Sequence, residues 1–323
     1  MKKSINSYKS IPNSAPKECI GLPVFNGENY LKEAVESILN QTFKDFVLVI
    51  SDNWSTESTQ QICEEYAEKD RRILYCRQSE NIGAAANWNA AFEKCQSPFF
   101  RWHAHDDELA PDYLEKCVEL LESQPSLVMV HTRTTKIDAK GDNIGTYDGQ
   151  MRLNDAHSSH RFRKMLWAGY FNELFGLIQT KSLLQTSLHG KFAGSDRNLV
   201  THLLMFGDIG YVENYLFLRR DHDECYVRSK ADKLSKLKWF NPKAKNMALS
   251  SQLTGLSKFN EYVKAIVNSP IPFGERLQCL FFLFEWIVRR GLESFTKQQG
   301  AYSRKMIRKY RLSNSSDGDH PPK

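Results

Sequence analysis

The sequence predicts an α/β fold: a mainly parallel, twisted sheet flanked by helices, followed by a C-terminal helical extension. Three observations carry the prediction. Apolar strand-like runs alternate with helix-like periods over the first 135 residues, polar residues gather just beyond those runs, and past residue 228 the chain turns helical and basic. With 41% hydrophobic and 12% aromatic residues among 323, the chain can bury a full-sized core.

Cys19-Ile-Gly-Leu-Pro-Val-Phe25 is a strand that stops at Asn26-Gly27. Glu28 to Asn40 has apolar residues at 31, 34, 35, 38 and 39, the spacing of one helix face. Phe46-Val-Leu-Val-Ile50 is apolar without a break and runs into Ser51-Asp52-Asn53. Thr56 to Lys69 is again helical, Arg72 to Cys76 is a short strand, and an alanine-rich helix to Cys95 follows Asn81-Ile-Gly83. Pro98 to Trp102 is the next strand. Pro111 to Glu122 is a helix with proline in its first turn, and Leu127 to His131 is a further strand. Strands that are apolar throughout and separated by helices belong to a parallel sheet covered on both faces. In such sheets ligands bind beyond the carboxyl ends of the strands. This sequence puts Asn26, Glu28, Ser51-Asp52-Asn53, Asn81 and His105-Asp106-Asp107 there.

From about Asp138 the pattern loosens. Gly141, Gly145 and Gly149 mark a polar loop, Arg161 to Trp167 is helical, and Leu174 to Gln179 reads as a strand. Ser195 or Asp196 can cap a helix over Asn198 to Phe206. Tyr211 to Leu218 alternates like a strand and ends in Arg219-Arg220-Asp221-His222.

The segment from Lys230 to Arg311 holds 17 Lys and Arg against 5 Asp and Glu, a net of +12, and the rest of the chain holds 27 against 33, a net of −6. An acidic front and a basic back point to an anionic partner for the back. Seven scattered cysteines show no CxxC pair, so free thiols in a reducing compartment are expected. Residues 1–17 lack the apolar core of a secretory signal and read as a disordered lead-in, and 313–323 read as a disordered tail. No apolar run reaches the length of a membrane span. The expectation is a cytoplasmic protein, at most peripheral at the inner face of a membrane.

Asp106-Asp107 admits two readings. Carboxylates fixed at the end of a buried strand can hold magnesium or manganese and, through it, phosphate oxygens. They also suit a plain acidic helix start. Asp196 is open to the same division, between a general base and an N-cap. Arg219 and Arg220 would bind an anion or solvate a strand end. Trp88, Trp102 and Trp167 would stack on a ligand ring or fill the core, with the core favoured for Trp102 and ligand contact for Trp167.

The stretches LPVFNGENYLKEAVESILNQTFKDFVLVISDNWSTESTQQI, NIGAAANWNAAF and HDDELAPDYLE, in that order, resemble the successive motifs of a family 2 glycosyltransferase of the GT-A fold. The resemblance covers roughly 18–225. It implies an inverting transfer of sugar from a nucleotide diphosphate sugar, with UDP expected, to a glycan or lipid-linked acceptor, assisted by Mn2+ or Mg2+. It further implies a catalytic domain at 18–228, with nucleotide-sugar binding in 18–135 and the acceptor side in 136–228, before a basic extension at 229–312. Pro23, Phe25, Asn26 and Glu28 match the first nucleotide loop, Asp52 the carboxylate at the base, and Asn81 and Gly83 the segment closing over the nucleoside. Asp106 and His222 match the metal site, Asp107 and Arg220 the donor site, and Asp196 the general base. Where the family commonly has Asp-x-Asp-Asp, the leading position here is Ala104 and the second is His105; where it has Asp-Asp after the second strand, this chain has Ser51-Asp52. Those departures leave a catalytically inactive nucleotide-binding scaffold as the alternative. A nucleotidyltransferase would need a glycine-rich basic loop after the first strand, which LPVFNGENY lacks.

Within the extension, Glu275 to Arg290 is an apolar helix flanked by charge. It would dock on the catalytic domain, pair with a second copy in a homo-oligomer, or lie in a membrane interface. Nucleic acid is not an expected partner, since no reader motif accompanies the charge.

Overall fold

The computed structural model describes residues 15–147, 153–169, 171–223, 225, 233–243 and 247–292. One sheet organises them. Its strands are β1 (Glu18–Val24), β2 (Phe46–Asp52), β3 (Ile73–Arg77), β4 (Phe99–Trp102), β5 (Glu108–Leu109), β6 (Leu127–Ile137), β7 (Asn143–Tyr147), β8 (Leu177–Gln179) and β9 (Asp208–Arg220). They lie in the order β3-β2-β1-β4-β8-β6-β9-β5, with β7 on β6. β1, β2, β3 and β4 pair in parallel, as do β6 and β9, whereas the short β5 and β8 and the β6–β7 hairpin pair antiparallel.

The helices are α1 (Leu31–Leu39), α2 (Thr59–Lys69), α3 (Ala84–Glu93), α4 (Tyr113–Ser123), α5 (Ser158–Trp167), α6 (Thr180–Leu183), α7 (Ser195–Leu203), α8 (Lys233–Phe240), α9 (Met247–Asn268) and α10 (273–292). Alternate residues of each central strand face opposite sides. On β1 and β2, Ile20, Leu22, Leu48 and Ile50 meet Leu31, Val35, Ile38 and Leu114 of α1 and α4. On the other face, Val49, Phe100 and Trp102 meet Phe92, Met165 and Leu199 of α3, α5 and α7. That two-sided burial is why these strands carry almost no polar side chains.

Two stretches depart from the sequence expectation. β6 continues six residues past His131, and the expected polar loop after Asp138 contains β7. Thr132, Thr134 and Thr135 are polar but β-branched, so they fit a pleated strand whose ladder to β9 runs to Ile137. Gly141 and Gly145, at φ +88° and +127°, shape the hairpin instead of a loose loop. Gly149 and the two terminal segments lie outside the described residues, apart from the end of the lead-in.

After residue 229 the helices fold back onto the body. Phe162 and Leu166 of α5 form a small core with Tyr262 and Ile266 of α9 and with Cys279 and Leu283 of α10. Among the described residues, no helix is long and apolar enough to cross a membrane.

Candidate active site

The order β3-β2-β1-β4 reverses direction between β1 and β4, which opens a crevice beyond their carboxyl ends. Two loops edge it. Asn26, at φ +51°, turns the chain out of β1. The following residues are hydrogen-bonded to the loop after β2: Asn26 N donates to Ser55 Oγ (2.9 Å), Gly27 N to Thr59 Oγ1 (2.9 Å) and Glu28 N to Glu57 Oε2 (3.0 Å). The side chains answer, with Thr56 N donating to Asn26 Oδ1 and Ser58 N to Glu28 Oε2, both at 3.0 Å. Pro23 is buried within β1, and Phe25 is exposed at its end.

Asp52 closes β2 with a fully buried carboxylate that accepts from Ser55 N (2.9 Å), Tyr75 Oη (2.9 Å) and Arg77 Nη1 (3.1 Å). Asn53 links this loop to the next one. Its Nδ2 donates to Asn81 Oδ1 at 3.0 Å, and its Oδ1 accepts from Ile82 N at 2.8 Å. Asn81 Oδ1 also accepts from Gly83 N. Gly83 has φ +85°, and a Cβ there would sit 2.7 Å from the Phe240 carbonyl oxygen at the end of α8. Sequence reasoning missed Tyr75, Arg77 and Trp54. Arg77 lies over the exposed Trp54 ring at 4.7 Å, and its place at the end of β3 was the available signal.

Across the crevice, the loop after β4 packs directly on the first one. A Cβ on Gly27 would lie 2.6 Å from the His105 ring and 2.7 Å from Val24 Cγ2, so a side chain there would push the ring away. His103 is fully buried under the sheet end, with Nε2 3.0 Å from the Asp107 carbonyl, and burial drives its basicity well below normal. Asp106 and His222 meet at 2.9 Å between Oδ2 and Nε2. Burial alone would raise the Asp106 pKa, but the His222 hydrogen bond and the nearby His105 outweigh it and hold the group at about 2. The His222 ring lies 4.6 Å from Tyr30, and its Nδ1 is buried without a hydrogen-bond partner among the described residues. Asp107 is buried and accepts from Arg220 N at 2.9 Å; burial and the adjacent Asp106 raise it to about 8.

Arg220 differs most from expectation. Its guanidinium donates to the Asp106 and Asp138 carbonyls and to Glu108 Oε1, and it lies over the Tyr30 ring. With the side chain buried, it clamps β9 to the Asp106 loop and does not reach into open space. Arg219 donates to Asn172 Oδ1 at 2.8 Å.

Asp196 stands in the first turn of α7, after Gly194 at φ +85°. Its Oδ1 accepts the Arg197 N–H at 2.8 Å. Burial raises its pKa above the usual carboxylate range, while Arg197 and Lys258 pull it back. Lys258 comes from α9, and a Cβ on Gly194 would lie 2.9 Å from its Nζ, a placement that no local sequence signal announces. Among the described residues, no hydrogen bond or ion pair links Asp196 to Asp106 or His222. Trp102 is fully buried, with its indole N–H donating to the Trp88 carbonyl. Trp167 packs against the core shared with α9 and α10, and Arg289 of α10 lies 5.7 Å above it, so its neighbours are the extension and not an open acceptor surface.

Among the described residues, no three or more His, Cys, Asp or Glu side chains are arranged to hold a metal. Asp106 and His222 nevertheless supply an oxygen and an imidazole nitrogen side by side, with a buried imidazole nitrogen left unpartnered. That donor set fits a divalent cation that takes its other ligands from a diphosphate and water.

Comparison with known proteins agrees with this architecture. Among curated relatives, the chain is similar to the glycosyltransferase GlyA of Streptococcus pneumoniae (37% identical over 94 residues, 29% of this chain and 13% of that protein). It is also similar to the chondroitin synthase of Escherichia coli (32% over 154 residues, 46% and 22%) and to the putative teichuronic acid biosynthesis glycosyltransferase TuaG of Bacillus subtilis (32% over 109 residues, 34% and 43%). Each match therefore spans less than half of the relative's own length. The crystal structure of S. aureus TarS 1–349 shares the fold at a TM-score of 0.53, with 15% identity over 79% of this chain and 81% of that one. The sequence profile of glycosyl transferase family 2 matches residues 19–192, more than half of the chain. With that profile matching more than half of its length, the chain belongs to glycosyl transferase family 2.

Proposed function

We propose that this protein transfers a sugar from a UDP-sugar to a hydroxyl of a glycan or lipid-linked acceptor, with inversion at the anomeric carbon. The observation that carries the reading is the Asp106–His222 pair at the end of β4, facing the loops that follow β1 and β2. In support, a TarS 1–349 structure that shares this fold holds UDP-GlcNAc (TM-score 0.54, 16% identity, over 84% of this chain and 80% of that one). The chondroitin and teichuronic acid relatives are named for polysaccharides.

In this reading the nucleoside lies over the hydrogen-bonded loops, where Phe25 and Trp54 offer exposed rings and Asp52, Asn81 and Gly83 fix the loop backbone. Preformed loops reduce the ordering that binding would otherwise require. Asp107 holds β9 against the donor loop, and Arg220 acts on the donor through that same clamp. A divalent cation held by Asp106 and His222 would neutralise the diphosphate charge.

Asp196 takes the proton from the acceptor hydroxyl, whose oxygen attacks the anomeric carbon from the side opposite the diphosphate. The carbon–oxygen bond to phosphate breaks as the new one forms, and UDP leaves with the bonding pair. A carboxylate with a raised pKa is the better base for this step. A groove of about 630 Å³ between Lys191–Phe192 and α9 precedes Gly194-Ser195-Asp196 in the chain, and in this reading the acceptor approaches from there.

The test is nucleotide release from a panel of UDP-sugars with manganese, run beside thermal shift. Activity that Asp196→Asn and Asp106→Asn both abolish, with the donor-induced shift retained in Asp196→Asn, is expected. Release that both variants leave unchanged would overturn the reading.

A further inference from the structure

The helix α10 presents its apolar side to solvent. Phe273, Leu277, Phe281, Phe284, Val288 and Leu292 recur at four- and three-residue steps along one face and are between 42% and 74% exposed. Contiguous apolar surface on this scale marks an interaction site. Cys279 and Leu283, on the opposite face, pack against α5 and α9, so the body already holds the helix and the outer stripe is not what docks it.

Charge is sorted across the same helix. Its two described acids turn inward: Glu275 accepts from Ser159 N and pairs with His157, and Glu285 pairs with Arg163 and Arg289. Each acid side chain is 17% exposed. Arg289 and Arg290 remain at the surface near the end of the stripe. The sequence that follows, 293–312, adds Lys297, Arg304, Lys305, Arg308, Lys309 and Arg311 against the single acid Glu293. A second copy laid on this face would meet the arginines with no exposed acid of α10, because Glu275 and Glu285 are turned away. An anionic lipid surface satisfies both features, taking the aromatic and aliphatic side chains among its acyl chains and the arginines among its headgroups.

We propose that the outer face of α10 seats this protein on an anionic membrane surface, with the helix lying in the interface over about 30 Å. Orientation follows from the packing: α10 rests on α5 and α9, and α9 brings Lys258 to the N-terminus of α7. An acceptor carried on a lipid would thus be presented near Asp196, a consequence that rests on the proposed transfer reaction. The membrane seat itself does not.

The full chain is sedimented with vesicles of phosphatidylcholine alone or with added phosphatidylglycerol, at low and high salt. Wild type is expected to pellet with the anionic vesicles and to be released by salt. Phe281→Asp/Phe284→Asp should weaken partitioning by about tenfold or more, with an unchanged circular-dichroism melt because both side chains already face water. Arg289→Glu/Arg290→Glu should lower binding to anionic vesicles as well, and it decides the matter should the aspartate variant misfold. Wild type that stays in the supernatant with both vesicle types overturns the proposal, and so does an aspartate variant that pellets as wild type does. A wild-type dimer that the aspartate variant splits, without vesicle binding, assigns the face to a second copy and overturns it too. Because the readout is binding, vesicle attachment without sugar transfer would sink the proposed reaction and leave the membrane seat standing.

Discussion

The loops after β1 and β2 are held by partners 29 to 32 residues apart in sequence, whereas Asn198, in the helix that carries Asp196, bonds a residue 60 positions on. The front loops are also dense in internal hydrogen bonds, and the Asp52 carboxylate alone accepts three. At α7 part of the environment is imported: after the neighbouring Arg197, Lys258 from α9 adds a second positive charge beside Asp196. The loops after β1 and β2 are therefore held mostly by each other, while the surroundings of Asp196 include residues of the basic extension.

The largest expected effect separates the two sides in function. Asp196→Asn should lower kcat by about 10²–10⁴-fold while leaving the melting temperature and the donor-induced thermal shift in place. Loss of the donor shift as well would break the comparison, since the sides would then act as one. Asp52→Ala attacks the other side. It strands the Ser55 N–H, the Tyr75 hydroxyl and Arg77, and should cost about 3 kcal/mol in urea unfolding while raising KM for the donor. An unchanged KM would show that the loops do not need this anchor.

Glu18 tests how rigid the front is beneath the loops. It starts β1 fully buried, with neither carboxylate oxygen hydrogen-bonded among the described residues, and burial lifts its pKa to about 8 despite the nearby Arg101. A carboxyl whose folded pKa is raised penalises folding increasingly as pH climbs from its unfolded pKa to its folded one. Stability should therefore fall by about 2 kcal/mol from roughly pH 6 to roughly pH 8, and Glu18→Gln should flatten that slope. Equal slopes in the two proteins would remove Glu18 as the cause. Lys258→Met gives the smallest effect. With one cation gone, the Asp196 pKa rises further, and the acid limb of kcat/KM should move up by a few tenths of a pH unit. An unmoved limb would mean that α9 does not tune the base.

This contrast also explains what the sequence disclosed. Asn26, Asp52 and Asp106 follow apolar runs whose burial on both faces is written into their composition, so their place at strand ends could be read directly. Tyr75 and Arg77 escaped notice because β3 is only partly buried and its end looks like any polar turn. β7 and the far half of β6 were hidden by threonine, lysine and glycine, which resemble a loop until a partner strand is known. Arg220 carried an ambiguous signal. A strand-end arginine suits an anion, but here it meets Glu108 and the Asp106 carbonyl beside the antiparallel β5–β9 pairing and the Asp138 carbonyl at the end of β6, and those pairings have no sequence mark. Lys258 lay furthest beyond reach, since only the docking of α9 makes it a neighbour of Asp196.

The glycine that opens α3 bears on how this protein could be rebuilt. Gly83 belongs to the donor loop, yet its α-carbon hydrogens face the Phe240 carbonyl and the Pro242 ring. A chimera that grafts residues 18–102 from another relative must therefore import the 240–242 bend with them or keep glycine at this position. The exchangeable unit is a pair of segments far apart in the chain, and a recombination breakpoint placed between them would separate two surfaces shaped for each other.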